Sequence, residues 1–261
     1  MPDRPLADRL VLVHGFTQTG ASWSEMVSLL RQRLAPAPEI ITPDAPGHGT
    51  NSHLELNLAE GADLLGELGG PAVYVGYSMG GRLCLHLALQ RPDLVQGLVL
   101  IGATPGIEDD RERLERRAAD EKLAEDIVSD GLEAFLERWV RQPLFASLPA
   151  DRVGLEDRLT NSPAGLAASL RLAGTGTQTP LWNRLGELEM PVLLIAGAED
   201  HKFGAVAERM RQALRTAQFV SVAHAGHAVH LERTETTAEV IATWLRTPQP
   251  DNANPAARHS P

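Results

Sequence analysis

Residues 73–81 read Val-Tyr-Val-Gly-Tyr-Ser-Met-Gly-Gly, a buried-strand pattern running into G-x-S-x-G and then into a helical stretch at 82–90. Glycines two before and two after a serine permit a tight strand-to-helix turn that lifts the Ser78 hydroxyl above a sheet. A serine at its free pKa is a poor nucleophile and a poor base, so this one needs an imidazole and an acid to orient it. Downstream, the aliphatic run 192–196 ends in Gly197-Ala198-Glu199-Asp200, which sets an acid at the carboxyl end of a strand. Asp200 is the first choice and Glu199 the substitute. Residues 223–230 follow the last strand as Ala-His-Ala-Gly-His-Ala-Val-His. Of its three histidines, His227 is best placed, because Gly226 frees the loop to aim the ring. A zinc site built from His224, His227 and His230 is the rival reading, but no carboxylate or thiolate companion stands near them, and no metal is expected.

Near the start, His14-Gly15-Phe16 closes the first strand. Such a turn can present the Phe16 N–H beside the Met79 N–H at the foot of a helix, giving two backbone donors for a developing oxyanion. The segment Pro43-Asp44-Ala45-Pro46-Gly47-His48-Gly49 is a second rigid turn, in which His48 reads as structural. Arg82 lies four residues after Ser78, one helical turn along and on the same face.

These residues need elements to hold them. Short aliphatic runs at 10–13, 39–42, 72–75, 98–101, 192–196 and 218–222 read as strands buried on both faces, the signature of a parallel sheet. Amphipathic stretches alternate with them, which demands a layered α/β fold with right-handed crossovers. The rhythm breaks between 102 and 190, where charged helical periodicity holds no convincing strand. Helical segments are expected at about 108–129, 131–141, 151–160, 163–172 and 180–188. An excursion this long reads as a lid. The organisation expected is a core of residues 1–102 and 190–246, a helical lid inserted at 103–189, and a disordered tail at 247–261 that carries four prolines.

Composition bounds what this machinery can serve. The chain has 261 residues, 43% hydrophobic and 22% charged, with no apolar run long enough to span a membrane. Its formal charge of −10 argues against a nucleic-acid backbone or an anionic bilayer as partner. A single cysteine, Cys84, leaves no internal disulfide, and the opening nine residues hold no signal-peptide core, so a cytoplasmic protein is expected. Twenty-two of the twenty-four basic residues are arginine, so an arginine near any site is cheap to find.

Taken in order, H-G-F, P-D-x-P-G-H-G, G-Y-S-M-G-G, G-A-x-D and A-G-H resemble the α/β hydrolase superfamily over about residues 10–246. The chain order Ser, Asp, His agrees with that fold. The short amino terminus leaves no room for the usual leading hairpin, so about six mostly parallel strands are expected. The fold alone does not decide among its many chemistries.

A narrower likeness does. G-Y-S-x-G-G-R, Pro105-Gly106-Ile107, Glu115-Arg116, residues 135–148 and Asp200-His201-Lys202-Phe203 resemble the 2-succinyl-6-hydroxy-2,4-cyclohexadiene-1-carboxylate synthase family of menaquinone biosynthesis. That resemblance implies an elimination, in which a proton leaves a succinyl-bearing cyclohexene and pyruvate is expelled, with no metal or organic cofactor. It also implies a small polycarboxylate substrate bound by Arg82, Arg116 and Arg158, with Tyr77 and Trp139 lining the pocket. Charge-assisted bidentate pairs suit guanidinium to that task. The competing expectations are a carboxylic ester or lactone hydrolase using the same Ser78, Asp200 and His227, and an inactive hydrolase fold serving as an interaction module.

Overall fold

The computed structural model of the chain describes residues 8–247. All but the first residue of the expected tail, 247–261, lies outside the described residues. In chain order the elements are β1 (Arg9–Val13), α1 (Ser24–Arg33), β2 (Glu39–Ile41), α2 (Leu58–Gly69), β3 (Ala72–Tyr77), α3 (Met79–Gln90) and β4 (Val95–Ile101). There follow α4 (Asp110–Asp130), α5 (Leu132–Trp139), α6 (Leu155–Arg158) and α7 (Pro163–Ala173). The chain then returns through β5 (Val192–Gly197), α8 (His201–Ala213), β6 (Ala217–Val222), α9 (Val229–Glu232) and α10 (Thr234–Arg246).

The strands form one six-stranded sheet in the order β2-β1-β3-β4-β5-β6, parallel at every pairing. Strand residues alternate between two cores, as a period of two requires. Leu10, Leu12, Val73, Val75, Leu193 and Ile195 face one layer, which α1 and α10 cover with Met26, Leu30 and Ile241. Val11, Val13, Tyr74, Leu98 and Leu194 face the other, covered by Leu65 of α2, Leu83 and Leu87 of α3, and Met210 of α8. Burial on both faces is why the inner strands β1, β3, β4 and β5 read as aliphatic runs, whereas β2 and β6, expected to be buried in the same way, are partly exposed because they form the sheet edges. The helices have local reasons to start where they do. Asn57 caps α2, its side chain accepting from the N–H groups of Ala59 and Glu60 while the Glu60 carboxylate accepts from the Asn57 N–H at 2.9 Å.

The α/β expectation agrees with this sheet, with corrections of detail. Helix α3 starts at Met79, three residues before the expected 82, because Gly80 and Gly81 lie within its first turn. The continuous helix expected at 151–160 is a 3-10 turn, Ala150–Arg152, and the four-residue α6, separated by Gly154 at a φ of +64°. The segment expected at 180–188 is a 3-10 helix, Trp182–Glu187.

Helices α4 to α7 all lie between β4 and β5, with α4 packed along α7. Side chains tie this segment to the sheet. The Asn161 side chain accepts from the Gly49 N–H at 2.8 Å and donates to the Thr17 carbonyl at 2.8 Å. Asp157 accepts from the Thr19 N–H at 3.1 Å and from the Thr19 hydroxyl. Arg209 of α8 stacks 3.8 Å from the Trp182 ring.

Two fully buried imidazoles hold the turns after β1 and β2 together. His14 Nε2 accepts the Ala45 N–H at 3.0 Å, and its Nδ1–H donates to the Gly15 carbonyl at 2.8 Å. His48 Nε2 accepts the Thr17 N–H at 3.3 Å, and its Nδ1–H donates to the Pro46 carbonyl at 3.0 Å. Burial, then the nearby His14, pushes His48 down to about 3, and burial also lowers His14. An unfolded chain takes up these protons near pH 6.5, before the folded protein does, so stability is complete above that value and drains away toward pH 3. The melting temperature is therefore expected to fall between pH 7 and pH 4. His48→Gln, although less stable at pH 7, is expected to lose less on acidification, and equal losses in the two proteins would contradict this account.

Candidate active site

Strand β3 delivers Ser78 into a left-handed turn, φ 50° and ψ −107°, before α3 begins. A non-glycine residue there carries strain of about 1–3 kcal/mol, held in place by its surroundings. The surroundings leave no slack. The Ser78 N–H donates to the Ile101 carbonyl at 2.9 Å on the neighbouring strand. A side chain at Gly80 would collide with the carbonyls of Val13 and His14, and a Cβ at Gly76 would come within 2.5 Å of Gly80 O and Gly81 Cα. Only glycine allows the helix to approach the sheet so closely.

Three loops at the carboxyl edge of the sheet meet at Ser78. The Ser78 hydroxyl lies 3.3 Å from His227 Nε2, and His227 Nδ1 lies 2.7 Å from Asp200 Oδ2. The carboxylate can only accept, so Nδ1 carries the proton and leaves Nε2 to receive one from the serine. The second oxygen, Asp200 Oδ1, accepts from the Phe203 N–H at 3.2 Å and so caps α8. Phe203 and Tyr77 pack on the imidazole at 4.5 and 5.4 Å between ring centroids, and the whole His227 side chain is 2% exposed. Glu199, the substitute acid, is exposed, as is His224. His230 is buried 4.1 Å from the Tyr77 ring, and its Nε2 lies 3.4 Å from the Gln18 amide nitrogen. Among the described residues, no three His, Cys, Asp or Glu side chains are grouped to hold a metal ion.

Above the serine lies a cavity of about 170 Å³ between the sheet edge and the inserted helices. Phe16, Met79, Tyr77 and Trp139 line it. The Met79 N–H is the first of α3, a position with no acceptor inside the helix. Trp139 stands edge-on to Phe16 at 5.2 Å and stacks on Phe135 at 5.8 Å, so an aromatic wall closes one side.

The other walls are cationic. Arg82, Arg116 and Arg158 all line the cavity. Arg82 on α3 is 7% exposed and donates to the Ala173 carbonyl at 2.7 Å, which joins the core to the end of α7. Burial, then the charge of Arg116, lowers it to about 10, so it remains a cation at neutral pH. Arg116 on α4 is held by Asp120, Nε to Oδ1 at 2.8 Å, and the buried Asp120 also accepts the Gly176 N–H at 3.1 Å. Arg158 is 2% exposed, donates to the Val153 carbonyl at 2.8 Å and bonds the Thr17 hydroxyl. Burial lowers its pKa while Tyr77 and Asp157 oppose the shift.

Several lining residues escaped the sequence reading as site residues. Lys202 brings a fourth cation to the cavity, and Gln18, Phe145 and Phe203 are also part of its wall. Lys202 sits two residues after the acid, in the first turn of a helix whose cap is that acid, and this spacing is the signal that could have found it. Gln18 had no comparable signal.

The constellation can move a proton between a hydroxyl and an imidazole while holding an anion against several guanidinium groups. Comparison with known proteins places the chain in a family. The sequence profile of the Alpha/beta hydrolase family matches residues 10–240. A Bacillus subtilis (strain 168) protein, provisionally named a 2-succinyl-6-hydroxy-2,4-cyclohexadiene-1-carboxylate synthase, is 37% identical over 92% of this chain and 90% of its own length. The Enterobacter sp. (strain 638) protein of that name is 31% identical, covering 91% of each chain. The structure of MenH from S. aureus superposes with a TM-score of 0.84 at 30% identity, over 91% of this chain and 93% of that one. A thermophilic esterase from Thermogutta terrifontis, 23% identical with a TM-score of 0.72, shares the fold. The chain belongs to the α/β hydrolase family and, within it, to the family of the 2-succinyl-6-hydroxy-2,4-cyclohexadiene-1-carboxylate synthases.

Proposed function

We propose that this protein eliminates pyruvate from 2-succinyl-5-enolpyruvyl-6-hydroxy-3-cyclohexene-1-carboxylate to give 2-succinyl-6-hydroxy-2,4-cyclohexadiene-1-carboxylate, as the names of its relatives indicate. One observation carries this reading beyond the fold. Three guanidinium groups, two of them buried, line the same cavity as the Ser78 hydroxyl. An esterase for neutral acyl chains has no use for them, whereas this substrate carries a ring carboxylate, a succinyl carboxylate and an enolpyruvyl carboxylate.

In this reading Arg82, Arg116 and Arg158 grip the carboxylates, and Tyr77 and Trp139 pack on the ring. Ser78, with His227 and Asp200 behind it, takes the proton from ring carbon 2, beside the succinyl ketone. The C–H electron pair becomes an enolate whose oxygen meets the N–H groups of Phe16 and Met79. Return of that pair forms the 2,3 double bond, shifts the existing double bond to 4,5 and breaks the C5–O bond. The expelled enolpyruvate takes up a proton and leaves as pyruvate. No acyl-enzyme is needed. Among the described residues no helix is long and apolar enough to cross a membrane. Together with the lone, unpaired Cys84, this supports a cytoplasmic setting for a small soluble substrate.

The test is an absorbance assay for diene formation, run beside a neutral aryl ester. Diene formation with slow ester turnover is expected, and fast turnover of the ester alone would make the protein an ordinary esterase. Ser78→Ala and His227→Ala are each expected to lower kcat by about 10²- to 10⁴-fold. Arg82→Ala is expected to lower kcat/KM for the polyanion by about 10- to 100-fold, the worth of one charge-assisted pair, and full retention would exclude a carboxylate grip there. Rapid quenching with substrate is expected to find unmodified Ser78, and a kinetically competent ester would replace the base role with covalent catalysis.

A further inference from the structure

The imidazole of His227 must stay on the line between Asp200 and Ser78, yet it hangs from an irregular loop between β6 and the single-turn α9. What holds that loop is a side chain outside the triad. Glu232 Oε2 accepts the Gly226 N–H at 2.7 Å, and its Oε1 accepts the Ala228 N–H at 3.0 Å. These N–H groups belong to the residues immediately before and after His227, so one carboxylate grips the backbone on both sides of the imidazole. The Glu232 N–H in turn donates to the Ala228 carbonyl at 2.9 Å, which closes the bracket. Ala228 offers no capping side chain at the start of α9, and the carboxylate from one turn later takes that place. From the far end of the loop, Arg233 Nε donates to the His224 carbonyl at 2.8 Å.

We propose that Glu232 is a positioning residue for the reaction: its carboxylate, by binding the N–H groups of both residues that flank His227, fixes the imidazole between Asp200 and Ser78. Glu232 acts through the backbone and need not touch substrate. The inference rests on the triad role given to Ser78, His227 and Asp200 under the proposed function. A displacement of about 1 Å between reacting groups costs on the order of 10²-fold in rate, so a loop released at two hydrogen bonds has kinetic consequences without loss of the fold.

The experiment compares the full-length protein with Glu232→Ala and Glu232→Gln. It measures the rate of Ser78 modification by a fluorophosphonate, kcat and KM for diene formation, and the thermal melt. Glu232→Ala is expected to slow Ser78 modification about 100-fold and to lower kcat in parallel, with KM held within about threefold because the arginines are untouched. Glu232→Gln keeps one acceptor oxygen and is expected to fall between the two, at about a 10-fold loss. A folded Glu232→Ala protein that reacts at the wild-type rate would overturn the proposal. Failure of both variants to fold would make Glu232 purely structural and overturn it too. A wild-type serine inert to the probe would sink the triad role together with this inference. A reactive wild type with slowed variants supports the inference even where no diene forms, so the two readings fail separately.

Discussion

A single backbone constraint organises this molecule: the left-handed turn at Ser78, pressed between β3 and α3. The hydroxyl stands above the sheet only because the first turn of α3 rests against the carbonyls of Val13 and His14, with no room for a side chain at Gly80. That contact joins the end of β1 to the start of α3. It brings the turn carrying Phe16 beside the first N–H of the helix, and it points Arg82, one turn on, into the same cavity. Loosening the turn would scatter hydroxyl, backbone N–H groups and guanidinium together.

The parallel sheet explains why the other parts arrive at the same edge. Every strand runs in one direction, so the loops after β3, β5 and β6 all emerge on one side and carry Ser78, Asp200 and His227. The helices between β4 and β5 then roof that edge and contribute Arg116, Trp139 and Arg158. Sheet and roof have distinct physical characters. The sheet side holds the hydrogen-bonded chain of Ser78, His227 and Asp200, and the roof adds Arg116, Arg158 and Trp139 to the charge and aromatic surface of Arg82, Phe16 and Tyr77.

The sheet was legible in the sequence because strands buried on both faces show as aliphatic runs such as 192–196, each stopped by a turn residue. The triad positions were legible because glycines around Ser78 and beside His227 mark the turns that aim them. What escaped has physical reasons. Gly154 splits the 151–160 stretch through a left-handed backbone that hydrophobic periodicity does not register. Gln18 reaches the cavity through the way loops stack, not through any local pattern, whereas Lys202 follows Asp200 in the first turn of α8, a spacing the sequence reading passed over. Glu232 works on peptide N–H groups, and backbone donors are the same for every residue type, so no sequence spacing announces them. The narrowing from a versatile fold to one reaction came from a family likeness covering core and insertion together, and the buried arginines give that likeness a physical sense.

The cationic walls belong to two separate parts of the chain. Arg82 rides on the sheet side while Arg116 and Arg158 ride on the inserted helices, and after burial it is the charge of Arg116 that lowers the pKa of Arg82, with Asp120 opposing it. Like charges thus face each other across the seam between the two parts, with the Arg82 to Ala173 hydrogen bond among the ties that span it. The polyanion proposed as substrate would turn that mutual repulsion into attraction from both banks. In that reading ligand and architecture become one structure, with the guest serving as the rivet.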